Sequence, residues 1–401
     1  MIRFREPEGA LLNTLRVFTA PSRVILLLLA LLVLTACSGG SQESWAGVSL
    51  DPNTNAIYLS HGKSVVAIDP TSGVVRWEYK PQDAASFFAV PVTDDGTVYV
   101  GDYKGRLHAI SADDGQPRWV YEPEKEILIG PLSPTADDRV IGGVAVDSGL
   151  VYFGLGSRNV VAVSRETAQK VWTFETDHGV WAKPLYVPAD SEDEGSRATL
   201  YVVSLDHHLY ALDPATGAKL WSKDLGAAVP GDMVYDGTRH RVYVGTFASE
   251  LLAVDLTSQE IVARYEADGW LWGRPAFQDD TLYFGDLSGN LYAVRATEEG
   301  FTQVWKQAVA DGPIRATPIL TDGLVIIGSK DKHIYAVQKA DGSSAWNANT
   351  KGEALTELAF VAGVPEAEDN PDRVVAGTNT GDQRIVAYRV DSGAEVWHYS
   401  D

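Results

Sequence analysis

The sequence predicts an all-β fold: an eight-bladed β-propeller of four-stranded antiparallel blades over residues 44–401. Three observations predict it. An apolar run ending in Ala, then a turn, then Trp recurs along the chain. The anchor alanines stand at 67, 109, 162, 211, 253, 293, 336 and 387, a mean spacing of about 46, and periods of this length mark propellers and solenoids. No segment holds a helical period for the ~10–12 residues that a helix needs.

The second copy shows what one period contains. Phe88 to Thr93 is apolar and runs into the Asp95-Gly96 turn. Thr97 to Gly101 alternates as a strand does, Arg106 to Ser111 is a third strand, and Arg118 to Tyr121 follows the turn at Asp113-Asp114-Gly115. Each run is short, rich in β-branched and aromatic residues, and bounded by turn formers. Four such strands without a helix make one blade. In Asp69-Pro70-Thr71-Ser72-Gly73 and Asp213-Pro214-Ala215-Thr216-Gly217 the proline fixes φ early and the glycine supplies the left-handed residue that closes the hairpin. Gly115, Gly342 and Gly393 occupy the same place.

Seven of the eight anchor alanines lead to a tryptophan: Trp77, Trp119, Trp172, Trp221, Trp305, Trp346 and Trp397. The offset is ten residues, except twelve before Trp305, where Glu298-Glu299 enlarges the turn. In the fifth copy Ala263 stands in the Trp position. The first blade begins near Trp45 and the last ends with the chain, so repeats and blades are expected in phase, with the ring closed by packing between blades one and eight. The alternative is a shared blade, with Trp45 pairing beside Trp397.

The first 36 residues read as an address. Four arginines (3, 5, 16, 23) precede an unbroken apolar run from Val24 to Leu34, which is short for a membrane span of about 20 apolar residues. Leu34-Thr35-Ala36-Cys37 resembles the bacterial lipobox, and Cys37 is the chain's single cysteine. That resemblance implies cleavage before Cys37, a diacylglyceryl thioether on its sulfur, and a lipid-anchored, exported protein in the cell envelope. Residues 37–43 are then a flexible Ser/Gly tether. The whole chain carries a net charge of −21; without residues 1–36 it has 29 basic against 52 acidic residues, a net of −23. Such a surface argues against nucleic acid as a partner. One cysteine excludes an internal disulfide and a multi-cysteine metal site.

Leu-Tyr-Ala-Leu-Asp-x-x-Thr-Gly-x-x-x-Trp, as at Leu209 to Trp221, resembles the repeat of pyrroloquinoline-quinone (PQQ) type propellers. The resemblance implies that the seven repeat tryptophans dock blade on blade, and that blade five, with Ala263, is held less tightly. A lipobox followed by a lone propeller is similar to the BamB family of outer-membrane assembly lipoproteins. This implies a non-catalytic scaffold for other envelope proteins, provided the organism has an outer membrane.

Quinone-dependent dehydrogenases share the propeller, hold PQQ over Ca²⁺ in the central funnel with an Asp as base, and many place a vicinal disulfide against the quinone. That disulfide cannot form here, and no Asp-x-Asp-x-Asp-Gly calcium loop is present. Neither bound PQQ nor a metal site is expected, and no residue is assigned a catalytic role. The alternative reading is a quinoprotein-like enzyme or an extracytoplasmic carbohydrate- or ligand-binding sensor. His207-His208 and His333 fall in hairpin turns, where a solvated role is expected.

The candidate binding rim comes from a second small motif. Val180-Trp181-Ala182-Lys183-Pro184 and Leu271-Trp272-Gly273-Arg274-Pro275 align with Phe88 to Pro91 and Arg315 to Pro318. These stretches are expected to open the innermost strands. Phe88, Trp181, Lys183, Trp272, Arg274 and Arg315 would then rim one mouth of the channel, Trp and Arg being the types that dominate binding hot spots. The competing expectation is that they pack between blades. Pro123 to Asp138, Asp190 to Gly195 and Pro365 to Asp372 interrupt the repeat and read as solvated surface, with a weak calcium site as the lesser reading.

Overall fold

The computed structural model describes residues 47–123, 138–190, 195–363 and 370–400. Cys37, Trp45 and the cores of the three inserts lie outside the described residues. Short β-branched and aromatic runs alternate with tight turns, so each can pair only with its neighbours in sequence. The result is eight four-stranded antiparallel sheets, each built from one continuous stretch. Blade one holds Gly47–Asp51, Ala56–His61, Ser64–Ile68 and Val75–Tyr79; blade eight holds Ala359–Val361, Arg373–Gly377, Ile385–Arg389 and Glu395–Tyr399. Repeats and blades are therefore in phase. The shared-blade alternative is set aside, because Gly47–Asp51 pairs with Ala56–His61 of its own blade and blade eight is complete with its own four strands.

The Ala–Trp spacing is a cross-strand pair. Ala67 faces Trp77, Ala211 faces Trp221 and Ala387 faces Trp397 between the third and fourth strands. Ala67, Ala211 and Ala387 are fully buried. In all eight blades the register slips directly after this alanine, leaving one bulged residue on the outer strand. The bulge explains the exposure of Val171, Val262, Val304 and Val396, each the extra residue of its strand. Bulged outer edges are poor templates for pairing with another chain.

Eight apolar clusters fill the eight interfaces between neighbouring blades. The one joining blade eight to blade one contains Val48, Ile57, Val66, Val375, Ile385 and Ala387. Six tryptophans donate Nε1–H to a carbonyl of the next blade: Trp77 to Ala112 (2.9 Å), Trp119 to Arg165 (2.9 Å), Trp172 to Pro214 (2.9 Å), Trp305 to Lys339 (3.0 Å), Trp346 to Val390 (2.8 Å) and Trp397 to Pro70 (3.2 Å). Trp221 packs between blades four and five beside Tyr201. The acceptors lie on the tight turn between the third and fourth strands of the next blade; in five of these turns the indole covers a glycine, and in blade three Ala168 (φ +59°) takes the glycine's place. At Gly73 (φ +72°) a Cβ would sit 2.7 Å from the Trp397 ring. Glycine is thus required twice there, for its backbone and for the ring stacked over it.

Blade five shows how the ring manages without a tryptophan. Tyr243, which elsewhere would meet that indole, packs against Phe277 and Phe301 of blade six at 5.3 and 5.9 Å. The two-residue enlargement of blade six's turn brings Glu298 to Arg241 (3.0 Å) and Arg239 (3.3 Å), and Arg241 also donates to the Thr297 carbonyl (3.1 Å). Arg239 in addition reaches Asp236 and Asp280. The expected looseness at Ala263 is thus met by substitutes: an aromatic from the other side of the interface and a largely buried arginine pair.

Candidate functional site

The strand register aligns the segment leading into each inner strand. Leu185, Val234, Ala276, Ile319 and Ala359 each take the same position opposite the second strand. Two residues earlier stand Lys183, Asp232, Arg274, Thr317 and Glu357, one per blade from four to eight. Blades one to three carry Gly47, Val90 and Gly143 there. Four residues earlier stand Trp181, Pro230, Trp272, Arg315 and Leu355. The position between is small in most blades (Ala89, Gly142, Ala182, Gly231, Gly273, Ala316), because adjacent inner segments run backbone against backbone. A Cβ on Gly231 would overlap the Trp272 carbonyl oxygen, and one on Gly273 would lie 2.6 Å from that of Arg315.

The candidate rim residues therefore precede the inner strands rather than open them, since those strands begin at Val92, Leu185, Ala276 and Ile319. Two adjoining cavities of about 110 and 230 Å³ occupy the channel. Trp181, Trp272, Arg274 and Arg315 line the first, and Lys183 the second. Phe88 lines neither. It is 6% exposed and packs on Tyr103 (4.6 Å) and edge-on to His61 (5.9 Å), so for this residue packing takes the place of the expected rim role. His207 is exposed, with a left-handed backbone in its turn, and the His208 Nδ1 lies 2.9 Å from the Asp206 carbonyl oxygen.

Two channel residues were not expected. Asp232 and Glu357 line both cavities. A search for Trp-x-Arg/Lys-Pro passes over them, whereas counting back from the strand register finds both. Asp232 Oδ1 accepts the Lys183 backbone N–H at 2.6 Å. Glu357 Oε1 accepts the Thr317 hydroxyl (3.0 Å) and lies 3.7 Å from Arg274 Nε. Burial pushes the Asp232 carboxyl up to about 6, and Glu357 adds to the rise; the Lys183 N–H and the charges of Lys183 and Arg274 oppose it. An acid that is weaker folded than unfolded costs stability once pH passes its unfolded value, and that cost levels off above the folded one. Asp232→Asn is therefore expected to raise stability by about 2 kcal/mol at pH 8 and by little at pH 4. Urea unfolding at the two pH values checks this.

Aromatic rings form a connected ladder at the mouth. Trp270, 55% exposed, lies 5.2 Å from Phe247; Phe247 is 5.5 Å from Trp272, and Trp272 is 5.8 Å from Trp181. The Arg315 guanidinium sits over the Trp272 ring at 4.4 Å. Cation–π contact of this kind holds both groups in place.

Eight four-stranded blades, each with its Ala–Trp pair or the blade-five substitute, define a β-propeller of the PQQ-repeat class. The chain belongs to the family described as outer membrane protein assembly factor BamB, whose model matches residues 41–180, 133–265 and 248–400. BamB of Vibrio cholerae is 28% identical over 245 residues, covering 60% of this chain and 59% of that protein. The serine/threonine-protein kinase AfsK of Streptomyces griseus is 27% identical over 325 residues, 79% of this chain but 34% of the kinase. A quinoprotein ethanol dehydrogenase of Pseudomonas putida is 22% identical over 275 residues, 66% of this chain and 42% of the enzyme. The chain thus spans about a third to three fifths of the length of these relatives. In fold, the crystal structure of BamB from Moraxella catarrhalis matches with a TM-score of 0.62 at 19% identity, covering 86% of this chain and 94% of that one.

Proposed function

We propose that the protein is a non-catalytic scaffold of the bacterial envelope, anchored by lipid on Cys37, that binds other envelope proteins during outer-membrane protein assembly. The observation that carries this reading is the family match, which runs along all eight blades from residue 41 to 400. The kinase and the dehydrogenase are each matched over less than half their length, so their names do not carry over to this chain. The channel supports the same reading. Its two carboxylates stand among Lys183, Arg274 and Arg315, and a calcium ion there would meet those cations at close range. Channel-mouth residues Trp181, Lys183, Trp272, Arg274 and Arg315 are the partner-binding candidates.

Affinity capture from envelope membranes, with mass spectrometry of what is retained, tests the role. Barrel-assembly components are the expected catch. Dye reduction by the protein loaded with PQQ and Ca²⁺, in the presence of an alcohol or aldose, would overturn it. The anchor is tested separately. Cys37→Ser is expected to move the protein from the membrane pellet to the soluble fraction and abolish labelling by a fatty acid, since two or more acyl chains hold a protein stably and none does not. Retention of Cys37→Ser in the pellet would assign anchoring to the apolar run at 24–34.

A further inference from the structure

The scaffold reading leaves Trp270, Phe247, Asp232 and Glu357 without a role at the channel mouth. The aromatic ladder runs from exposed Trp270 through Phe247 to Trp272 and Trp181, across blades five, six and four. Trp272 and Trp181 border the first cavity, so the ladder leads from open surface into the channel. What waits there is mixed in sign: Arg274, Arg315 and Lys183 as donors, Asp232 and Glu357 as acceptors, and the Thr317 hydroxyl between them.

This combination selects among ligands. An anion entering the mouth would meet Asp232 and Glu357 and, before that, the field of a chain with net charge −21. A cation would meet three basic side chains. An apolar ligand would strip water from all five charged groups without replacing it. A ligand dense in hydroxyls, each both donor and acceptor, satisfies carboxylate and guanidinium alike, and its C–H faces lie flat on indoles. Aromatic walls with a few convergent polar groups are what small-ligand sites present.

We infer that the channel mouth binds an uncharged saccharide, with a pyranose ring stacked on exposed Trp270, the sugar chain passing the edges of Trp272 and Trp181, and a terminal sugar hydrogen-bonded among Arg274, Asp232 and Glu357. The site needs no protein partner, so it stands or falls apart from the assembly role.

Tryptophan fluorescence and calorimetry of the full chain, purified in a non-glycosidic detergent, test it with three probes: chitotetraose, maltotetraose and tetragalacturonate. The expected result is binding of at least one of the two neutral tetrasaccharides, with a change in tryptophan emission. Trp270→Ala is expected to weaken it about tenfold, the upper range for one aromatic stack. Because Trp270 is exposed, that variant should keep the parent melting temperature. Arg274→Ala should weaken binding without changing the emission of the unliganded protein. Three results overturn the inference: no binding of either neutral sugar, binding only of tetragalacturonate, or neutral binding that Trp270→Ala and Arg274→Ala leave intact. A captured assembly partner with no sugar binding would sustain the scaffold and remove the saccharide site.

Discussion

Trp397→Ala is expected to lower the stability of the propeller by about 3 kcal/mol and to open the ring at one place. The magnitude follows from truncating a largely buried indole. The place follows from topology. Among the described residues no strand is shared between blade eight and blade one, and the contacts described across the seam run through side chains. These are the apolar cluster of Val48, Ile57, Val375 and Ile385, the Trp397 Nε1–H donated to Pro70, and Arg384 donating to His61 Nε2 at 2.9 Å. Every other pair of neighbouring blades is also joined by the chain itself. Backbone hydrogen exchange should therefore accelerate first in blades one and eight. Trp172→Ala, equally placed between blades three and four, should lose comparable stability, with no such concentration at the seam. Uniform acceleration in Trp397→Ala would show that the seam is no weaker than the rest.

Gly231→Ala should be as damaging for a different reason. The added methyl overlaps the Trp272 carbonyl, and backbone stands on both sides of the contact. The inner segments of blades five and six would have to separate, at a cost of about 3 kcal/mol, the upper range for overpacking. The channel mouth should deform with them, which a red shift in tryptophan emission would report. Gly323→Ala is the control. Nothing lies within 4 Å of the position a Cβ would take there, and its effect should stay within about 0.5 kcal/mol. A Gly231→Ala protein as stable as the Gly323→Ala one would falsify the close-packed account of the inner ring.

The fold was legible because one physical unit was written eight times. A period of about 46, the Ala–Trp offset and the Asp-x-x-x-Gly turns each reported a local constraint, and those constraints agree. The offset proved to be a cross-strand pair plus a bulge, which spacing alone does not reveal. The site was legible only in part. Trp181, Lys183, Trp272, Arg274 and Arg315 were found because Trp and basic residues stand out before a proline. Asp232 and Glu357 were missed because their neighbours break that motif: Pro230 and Leu355 stand where Trp does elsewhere, and Met233 and Leu358 replace the proline. Phe88 was misplaced because the motif aligns it with Trp181, while Tyr103 and His61 draw its ring away from the channel. The repair at Ala263 was equally hidden. A twelve-residue offset announces a longer turn, but not that Glu298 within it meets two arginines of the preceding blade.

Because every blade is one continuous stretch and the seam carries no strand exchange, the order in which the blades are synthesised is not written into the ring. Blades four and five are joined by nine residues, 225 to 233, that pass from an outer strand to the next inner one. A segment of that length between Tyr399 and Gly47 would make the same passage at the seam. The chain could then be reopened at any other inter-blade link, with the circularly permuted protein closing the same propeller from a different starting blade.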